Sequence, residues 1–131
     1  MPVFFTPQSA NAVLPEVEEA VKKVIAIKQG SEDVPEAEMT ESMVKLEREM
    51  QKIEDLGCVL KDLNQGLIDF PAVRLGTRVW LCWKLGEKSV VFWHGLQDGF
   101  AGRQRAKDED FYTDDLAIKS LSHEVISKPQ I

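Results

Sequence analysis

The sequence predicts an α+β fold in which a long antiparallel helical hairpin packs on an antiparallel β-sheet. Up to Gly57, apolar residues recur at spacings of three and four, which is the period of an amphipathic helix. From Cys58 onward, short β-rich runs alternate with glycine-containing turns, which is typical of a meander. The chain of 131 residues is long enough for one domain. We expect that domain over residues 1–105, with the hairpin at 7–57 and the β-rich half at 58–105.

The first helical segment is predicted to begin after Thr6, a good N-cap, with Pro7 in the first helical position. Pro15 interrupts the pattern, and a proline inside a helix removes a backbone hydrogen bond and kinks the helix. We therefore expect a short helix over about 7–14 and a longer one over about 15–29.

The second helix is predicted over about 35–56, after a loop at 31–35. Its apolar residues follow a 4-3-4-3 spacing, as in the narrow contact seam of a coiled coil. We interpret this stripe as the core of the hairpin, with an adaptable surface for a partner as the alternative. The stripe consists of Met39, Met43, Leu46, Met50 and Ile53.

Two of the predicted strands are apolar on both faces. In the run 78–83, Val79, Leu81 and Trp83 should point one way and Trp80 and Cys82 the other. The hairpin can cover one face of the sheet, and a large exposed apolar patch is rare in a soluble monomer. We therefore expect the other face to be covered by a second copy in a homodimer or by the C-terminal tail. That tail, residues 106–131, is predicted as either a docked helix or a disordered extension.

The formal charge of −6 is distributed unevenly along the chain. Residues 1–57 carry 12 acidic and 6 basic side chains, whereas residues 58–105 carry 4 acidic and 7 basic ones. The acidic total argues against nucleic acid as a partner. The basic middle region leaves room for a small anionic ligand.

Compartment and redox state follow from what the sequence contains. It has no apolar run near the ~20 residues that cross a bilayer and no signal-peptide pattern. We therefore expect a cytoplasmic protein with no membrane partner. Two isolated cysteines, Cys58 and Cys82, do not make a disulfide framework and are expected to be buried, reduced thiols.

The candidate site residues are polar side chains within the apolar β-rich half. The chain has no glycine-rich phosphate loop, His-Glu-x-x-His or Cys-x-x-Cys motif, so no cofactor is expected. A carboxylate beside a histidine can hold one imidazole tautomer for acid–base work, and an arginine can bind a carboxylate or phosphate. The alternative is that these residues have only a structural role, in which they stabilise turns and form ion pairs. The candidates are Asp62, Asp69, Glu87, His94 and Arg103.

A metal site is a narrower version of the same hypothesis. His94 and Asp98 would be its ligands, with Asp69 or Glu87 as a third. One histidine with scattered carboxylates lacks the defined spacing of established metal sites, so no metal is expected.

Several short motifs together resemble a known family. They are Lys61-Asp62, the run Gly66 to Pro71, Leu81-Cys82-Trp83, Leu85-Gly86-Glu87, Trp93-His94 and the run Gly99 to Arg103. Over residues 4–105 the chain is similar to the bacterial family of domains of unknown function numbered 2203. The resemblance implies a small stand-alone protein with a helical hairpin before a β-rich half, and it carries no assigned activity. Where other members favour Asp-Gly at a hairpin, this chain has Leu75-Gly76, which leaves the turn type open.

Two functions are consistent with these features. The first is a homodimeric, non-catalytic interaction or scaffold protein. This hypothesis follows from the sheet being apolar on both faces. The second is a small enzyme or ligand-binding domain with a polar cleft around His94, Asp69, Glu87 and Arg103, with or without a metal. The second requires those side chains to converge on one pocket.

Overall fold

Two N-terminal helices precede a five-stranded sheet in the computed structural model, which describes residues 2–30 and 35–127. The predicted α+β class is therefore confirmed. The predicted loop at 31–35 lies almost entirely outside the described residues. The elements are α1 (Pro7–Gly30), α2 (Glu36–Asp55), β1 (Val59–Asp62), β2 (Leu67–Arg74), β3 (Thr77–Lys84), β4 (Phe92–Gly95), β5 (Gln104–Arg105) and α3 (Asp114–Ser127), with short 3₁₀ turns at Phe100–Gly102 and Asp108–Asp110.

Helix α1 runs without interruption through Pro15, so the predicted division into two helices is wrong. Pro15 lies on the exposed side of the helix, where solvent can hydrate the carbonyl that its missing N–H leaves unbonded. The start of the helix is as predicted. Thr6 and Ser9 cap it reciprocally, because Ser9 N–H donates to Thr6 Oγ1 at 3.1 Å and Thr6 N–H donates to Ser9 Oγ at 2.9 Å.

The five strands form one antiparallel meander in the order β1-β2-β3-β4-β5. Strands β2 and β3 pair over their full length and turn at Leu75-Gly76, where both φ angles are positive, as a type I′ hairpin requires. The predicted alternation along β3 is confirmed, since Val79, Leu81 and Trp83 belong to the hydrophobic core that includes α1. We call this side of the sheet the inner face and the opposite side the outer face.

The main core lies between α1 and the inner face. Apolar residues of α1 and the inward positions of β2 and β3 are fully or almost fully buried there, and Phe5 packs edge-on against Phe70 with ring centroids 5.2 Å apart. The buried α1 residues are Pro7, Ala10, Leu14, Val17, Ala20, Val21 and Val24. No helix in the described ranges is long and apolar enough to span a bilayer.

Helix α2 packs along α1 but buries few side chains. Within it only Glu49 and Ile53 are buried, and Leu46 is half-buried. The interpretation of the methionine stripe as hairpin core is wrong for Met39, Met43 and Met50, which are 41%, 55% and 41% exposed. One helix can bury only one face against α1, and the contact with α1 is made mainly by the last turns of α2.

The outer face is covered in part by the chain itself. Residues 96–103 connect β4 to β5, and Leu96 and Phe100 of this connection line a pocket on that face. We call this connection the strap. Because the strap lies there, the apolar outer face alone no longer requires a second copy or the tail to cover it.

The segment after β5 returns to the β2–β3 hairpin and to the start of the chain. Leu75 N–H donates to Asp110 O, and Tyr112 N–H donates to Val73 O. Asp114, at the start of α3, accepts hydrogen bonds from the backbone N–H groups of Val3 and Phe4 at 2.9 and 2.7 Å. The residues before α1 are therefore held against the start of α3.

Candidate functional site

Strand register brings Asp69 and His94 together across the outer face. Asp69 on β2 lies opposite Cys82 on β3, and His94 on β4 lies opposite Trp80 on β3. Trp80 and Cys82 are two residues apart, so their side chains share a face. The Asp69 and His94 side chains therefore meet diagonally over β3, although 25 residues separate them along the chain.

Asp69 and His94 form a buried pair. His94 Nε2 lies 3.2 Å from both carboxylate oxygens of Asp69, and the two side chains are only 7% and 6% exposed. The other ring nitrogen, Nδ1, lies 2.8 Å from the backbone oxygen of Gly95. A carbonyl oxygen can only accept, so Nδ1 carries a hydrogen. A second proton lies between Nε2 and Asp69, because a bare nitrogen facing a carboxylate would leave two acceptors in contact.

This hydrogen bonding determines what the pair can do. Whether the second proton belongs to His94 or to Asp69, the pair as a whole is neutral. Both nitrogens of His94 are occupied, so the histidine has no free nitrogen with which to exchange a proton with a substrate. Burial raises the pKa of Asp69, and the hydrogen bond and charge of His94 oppose that rise. The pair is therefore a fixed polar floor rather than an acid–base relay.

A pocket of about 200 Å³ opens over this pair. Lys61 lies at its side, with Nζ 4.9 Å from the ring centroid of Trp80. Phe100 and Leu96 of the strap form part of the wall. The pocket is thus a small concave site with apolar walls and a few polar groups, which is the usual form of a small-ligand site.

Glu87 and Arg103 form a second pair nearby. Arg103 Nη1 lies 2.8 Å from Glu87 Oε2, and the guanidinium lies 4.1 Å from the ring centroids of both Phe92 and Phe100. Glu87 Oε1 also accepts a hydrogen bond from the backbone N–H of Lys84 at 2.8 Å. Arg103 therefore fixes the end of the strap to the outer face.

Cys82 lies between the two pairs. Burial raises the pKa of its thiol to about 11, the carboxylates of Asp69 and Glu87 add to this, and Arg103 opposes it. Both cysteines are buried and free, as the sequence predicted. A thiol with this pKa is a packing group and not a nucleophile at neutral pH.

The five candidate residues therefore do not surround one cleft. The expected cleft shared by His94, Asp69, Glu87 and Arg103 does not form, and only the part over Asp69 and His94 is a pocket. Asp69 and His94 share the pocket, Glu87 and Arg103 form the neighbouring pair, and Asp62 lies apart. Asp62 stabilises the β1–β2 turn by accepting from Gln65 N–H at 3.1 Å.

Asp98, the weak metal candidate, also has a turn role, since it accepts from Gly95 N–H at 3.2 Å. Among the described residues, no group of three or more His, Cys, Asp or Glu side chains is arranged to hold a metal ion.

Sequence reasoning missed the basic residues around the pocket. Arg78 and Lys84 lie on the same face of β3 as Trp80. Lys61 lies over the ring of Trp80, and Arg105 lies opposite Phe92. The outer positions of the strands thus carry four basic side chains against two acidic ones, Asp62 and Asp69. The available signal was that Arg78 and Lys84, at the two ends of the apolar run 79–83, are an even number of residues from Trp80 and so lie on its face of the strand.

Comparison with known proteins places the chain in a family without adding an activity. A family model described as "Uncharacterized conserved protein (DUF2203)" matches residues 26–106, which is more than half of the chain. No curated protein and no solved structure matches the sequence. The match includes the whole of the sheet, the strap and the Asp69–His94 pocket. The chain therefore belongs to this family of uncharacterized conserved proteins.

Proposed function

We propose that this protein is a binding domain for a small anionic ligand, which occupies the pocket over Asp69 and His94. The observation that carries the proposal is the buried, fully hydrogen-bonded Asp69–His94 pair at the floor of a concave pocket of about 200 Å³. A buried pair whose hydrogen bonds are all made within the protein is rigid and gives the pocket a fixed floor, which leaves Lys61 as the charged group that can orient a ligand.

The charge of the pocket favours an anion. The Asp69–His94 pair is neutral as a whole, so Lys61 gives the pocket a net positive charge. Arg78, Lys84 and Arg105 on the same face add to the positive potential, and a low-dielectric cleft concentrates that potential. The expected ligand carries a carboxylate or phosphate near Lys61.

The walls favour a ligand with an apolar body. Trp80 and Phe100 are half-buried, and both line the pocket. A planar or aliphatic group could pack between the sheet and the strap. A volume of about 200 Å³ suits a molecule of roughly ten non-hydrogen atoms. Binding fits the site better than acid–base catalysis, because both nitrogens of His94 are already bonded.

Isothermal titration calorimetry with benzoate and benzamide tests the proposal. The two probes have almost the same shape but differ in charge. We expect benzoate to bind at least about tenfold more tightly than benzamide, because the Lys61 charge acts only on the anion. Lys61→Met keeps the aliphatic cover on Trp80 and should remove that preference.

The matched control is Lys119→Met, which removes an exposed lysine on α3 and should leave benzoate binding unchanged. Equal affinity for both probes would contradict the proposal. So would equal loss of benzoate binding in the two lysine variants, because the effect would then be one of net charge and not of the pocket.

A further inference from the structure

A groove of about 380 Å³ lies between α1 and α2, and we call it the helix groove. Its lining carries four acidic and two basic side chains, so an excess of negative charge remains. A concave site with such an excess attracts cations. The acidic residues are Glu16, Glu19, Glu49 and Asp55, and the basic ones are Lys23 and Lys52.

Glu49 is a buried carboxylate in the wall of the helix groove. It is only 8% exposed, although most of α2 faces solvent. Its Oε1 accepts a hydrogen bond from Lys52 Nζ at 3.1 Å. Its Oε2 is also buried, and no donor in the described part of the chain bonds to it. Because a buried acceptor without a donor costs free energy, Glu49 Oε2 indicates a donor that these residues do not supply.

The basic side chains of the groove are already engaged with other oxygens. Lys52 bonds to Oε1 of Glu49, and Lys23 Nζ lies 3.2 Å from Glu19 Oε1. Within residues 2–30 and 35–127, neither Glu16 nor Asp55 forms an ion pair. The groove therefore keeps two uncompensated carboxylates beside the buried Glu49 oxygen.

This arrangement suits an organic ammonium group better than a metal ion. A metal ion needs several ligand atoms around one point, and the described residues include no group of three or more acidic, histidine or cysteine side chains placed to hold one. An ammonium group has three N–H donors and can bind a single carboxylate oxygen.

The spacing of the carboxylates favours two ammonium groups on one ligand. Glu49 and Asp55 are six residues apart on α2, which is about 9 Å along the helix axis. Ala20 and Leu56 add apolar surface to the lining. A chain of methylene groups can pack on that surface while its charged ends reach the carboxylates.

We propose that the helix groove binds a short aliphatic diamine, with one ammonium group on Glu49 Oε2 and the other beside Asp55 and Glu16. The side chain of Lys52 is 52% exposed, so its rotation would give the ligand access to the buried oxygen. The helix groove and the pocket over Asp69 and His94 share no lining residue, so neither proposal depends on the other.

Isothermal titration calorimetry with cadaverine and pentylamine tests the diamine site. The two probes have the same carbon chain, but only cadaverine carries a second ammonium group. We expect cadaverine to bind at least about tenfold more tightly. Glu49→Gln keeps the shape of the side chain and removes its charge, so it should weaken cadaverine binding at least about tenfold. Glu47→Gln is the matched control, because Glu47 is exposed on the same helix, and it should leave binding unchanged.

A second variant covers the case in which Glu49→Gln disturbs the fold, which far-UV circular dichroism would show. Asp55 is exposed, so Asp55→Asn leaves the core intact and should weaken cadaverine binding at least about threefold. In NMR spectra, cadaverine should shift backbone amide signals around Glu49 and Asp55 and leave those of β2 and β3 in place. Equal affinity for both probes, equal losses in Glu49→Gln and Glu47→Gln, or shifts confined to the sheet would overturn the proposal.

Discussion

Replacing Asp69 by leucine is expected to lower the free energy of unfolding by about 3–5 kcal/mol. The structure sets this magnitude, because the Asp69 and His94 side chains are 7% and 6% exposed and solvent can screen little of their interaction. The substitution would leave His94 Nε2 buried without a partner. This loss of stability is the free-energy penalty of burying a polar group without a hydrogen-bond partner, and it is larger than the net stabilisation that the intact pair provides.

Adding His94→Leu to Asp69→Leu should recover most of the loss, because an apolar replacement of both partners often costs little. Urea unfolding followed by tryptophan fluorescence measures all four members of this double-mutant cycle. Asp62→Leu is the control: its carboxylate is half-buried in a turn, and its removal should cost only about 1 kcal/mol. A cost below about 1 kcal/mol for Asp69→Leu, or an additive cycle, would refute the buried pair.

Three further predictions concern pH, helix α1 and the thiols. Burial raises the pKa of Asp69 above its ordinary value of 3.8. Protonation of Asp69 therefore stabilises the folded protein fully below pH 3.8, and this stabilisation is lost as the pH rises through the folded pKa. In urea titrations, the free energy of unfolding of the natural protein, relative to that of Asp69→Asn, should fall between these two pH values. Pro15→Ala should raise the free energy of unfolding by about 1–2 kcal/mol, since α1 continues through this exposed position, and no gain in thermal unfolding would contradict a continuous helix. With pKa values of about 12 for Cys58 and about 11 for Cys82, both thiols should react with iodoacetamide more than about tenfold slower in the folded than in the urea-unfolded protein, whereas equal rates would show that they are exposed.

The fold class could be predicted because the hydrophobic period changes at one place. Up to Gly57 the spacing is helical, and after it the strands are short and punctuated by turns, so local pattern and global fold agree. The error at Pro15 arose because a local rule was applied without tertiary context. Packing of α1 on the sheet outweighs one lost backbone hydrogen bond on its exposed side.

The candidate site could be predicted only in part. The alternation of side chains along each strand shows that Asp69 on one strand and His94 on another can share a face of the sheet. Their diagonal contact over β3, however, depends on the register of two hairpins. The acceptor for Nδ1 is a backbone oxygen, which no side-chain pattern encodes. The strap was missed because residues 96–103 have no periodicity, and its fixing by Arg103 depends on ring stacking with Phe92 and Phe100.

The hydrogen bonds from Val3 and Phe4 to Asp114 have a consequence for biosynthesis. A contact that spans about 110 residues cannot form until Asp114 has left the ribosome. Helix α1 can form early during translation, but the segment that leads into it would wait for the start of α3. Synthesis truncated before residue 114 should therefore give nascent chains whose first residues are still open to protease.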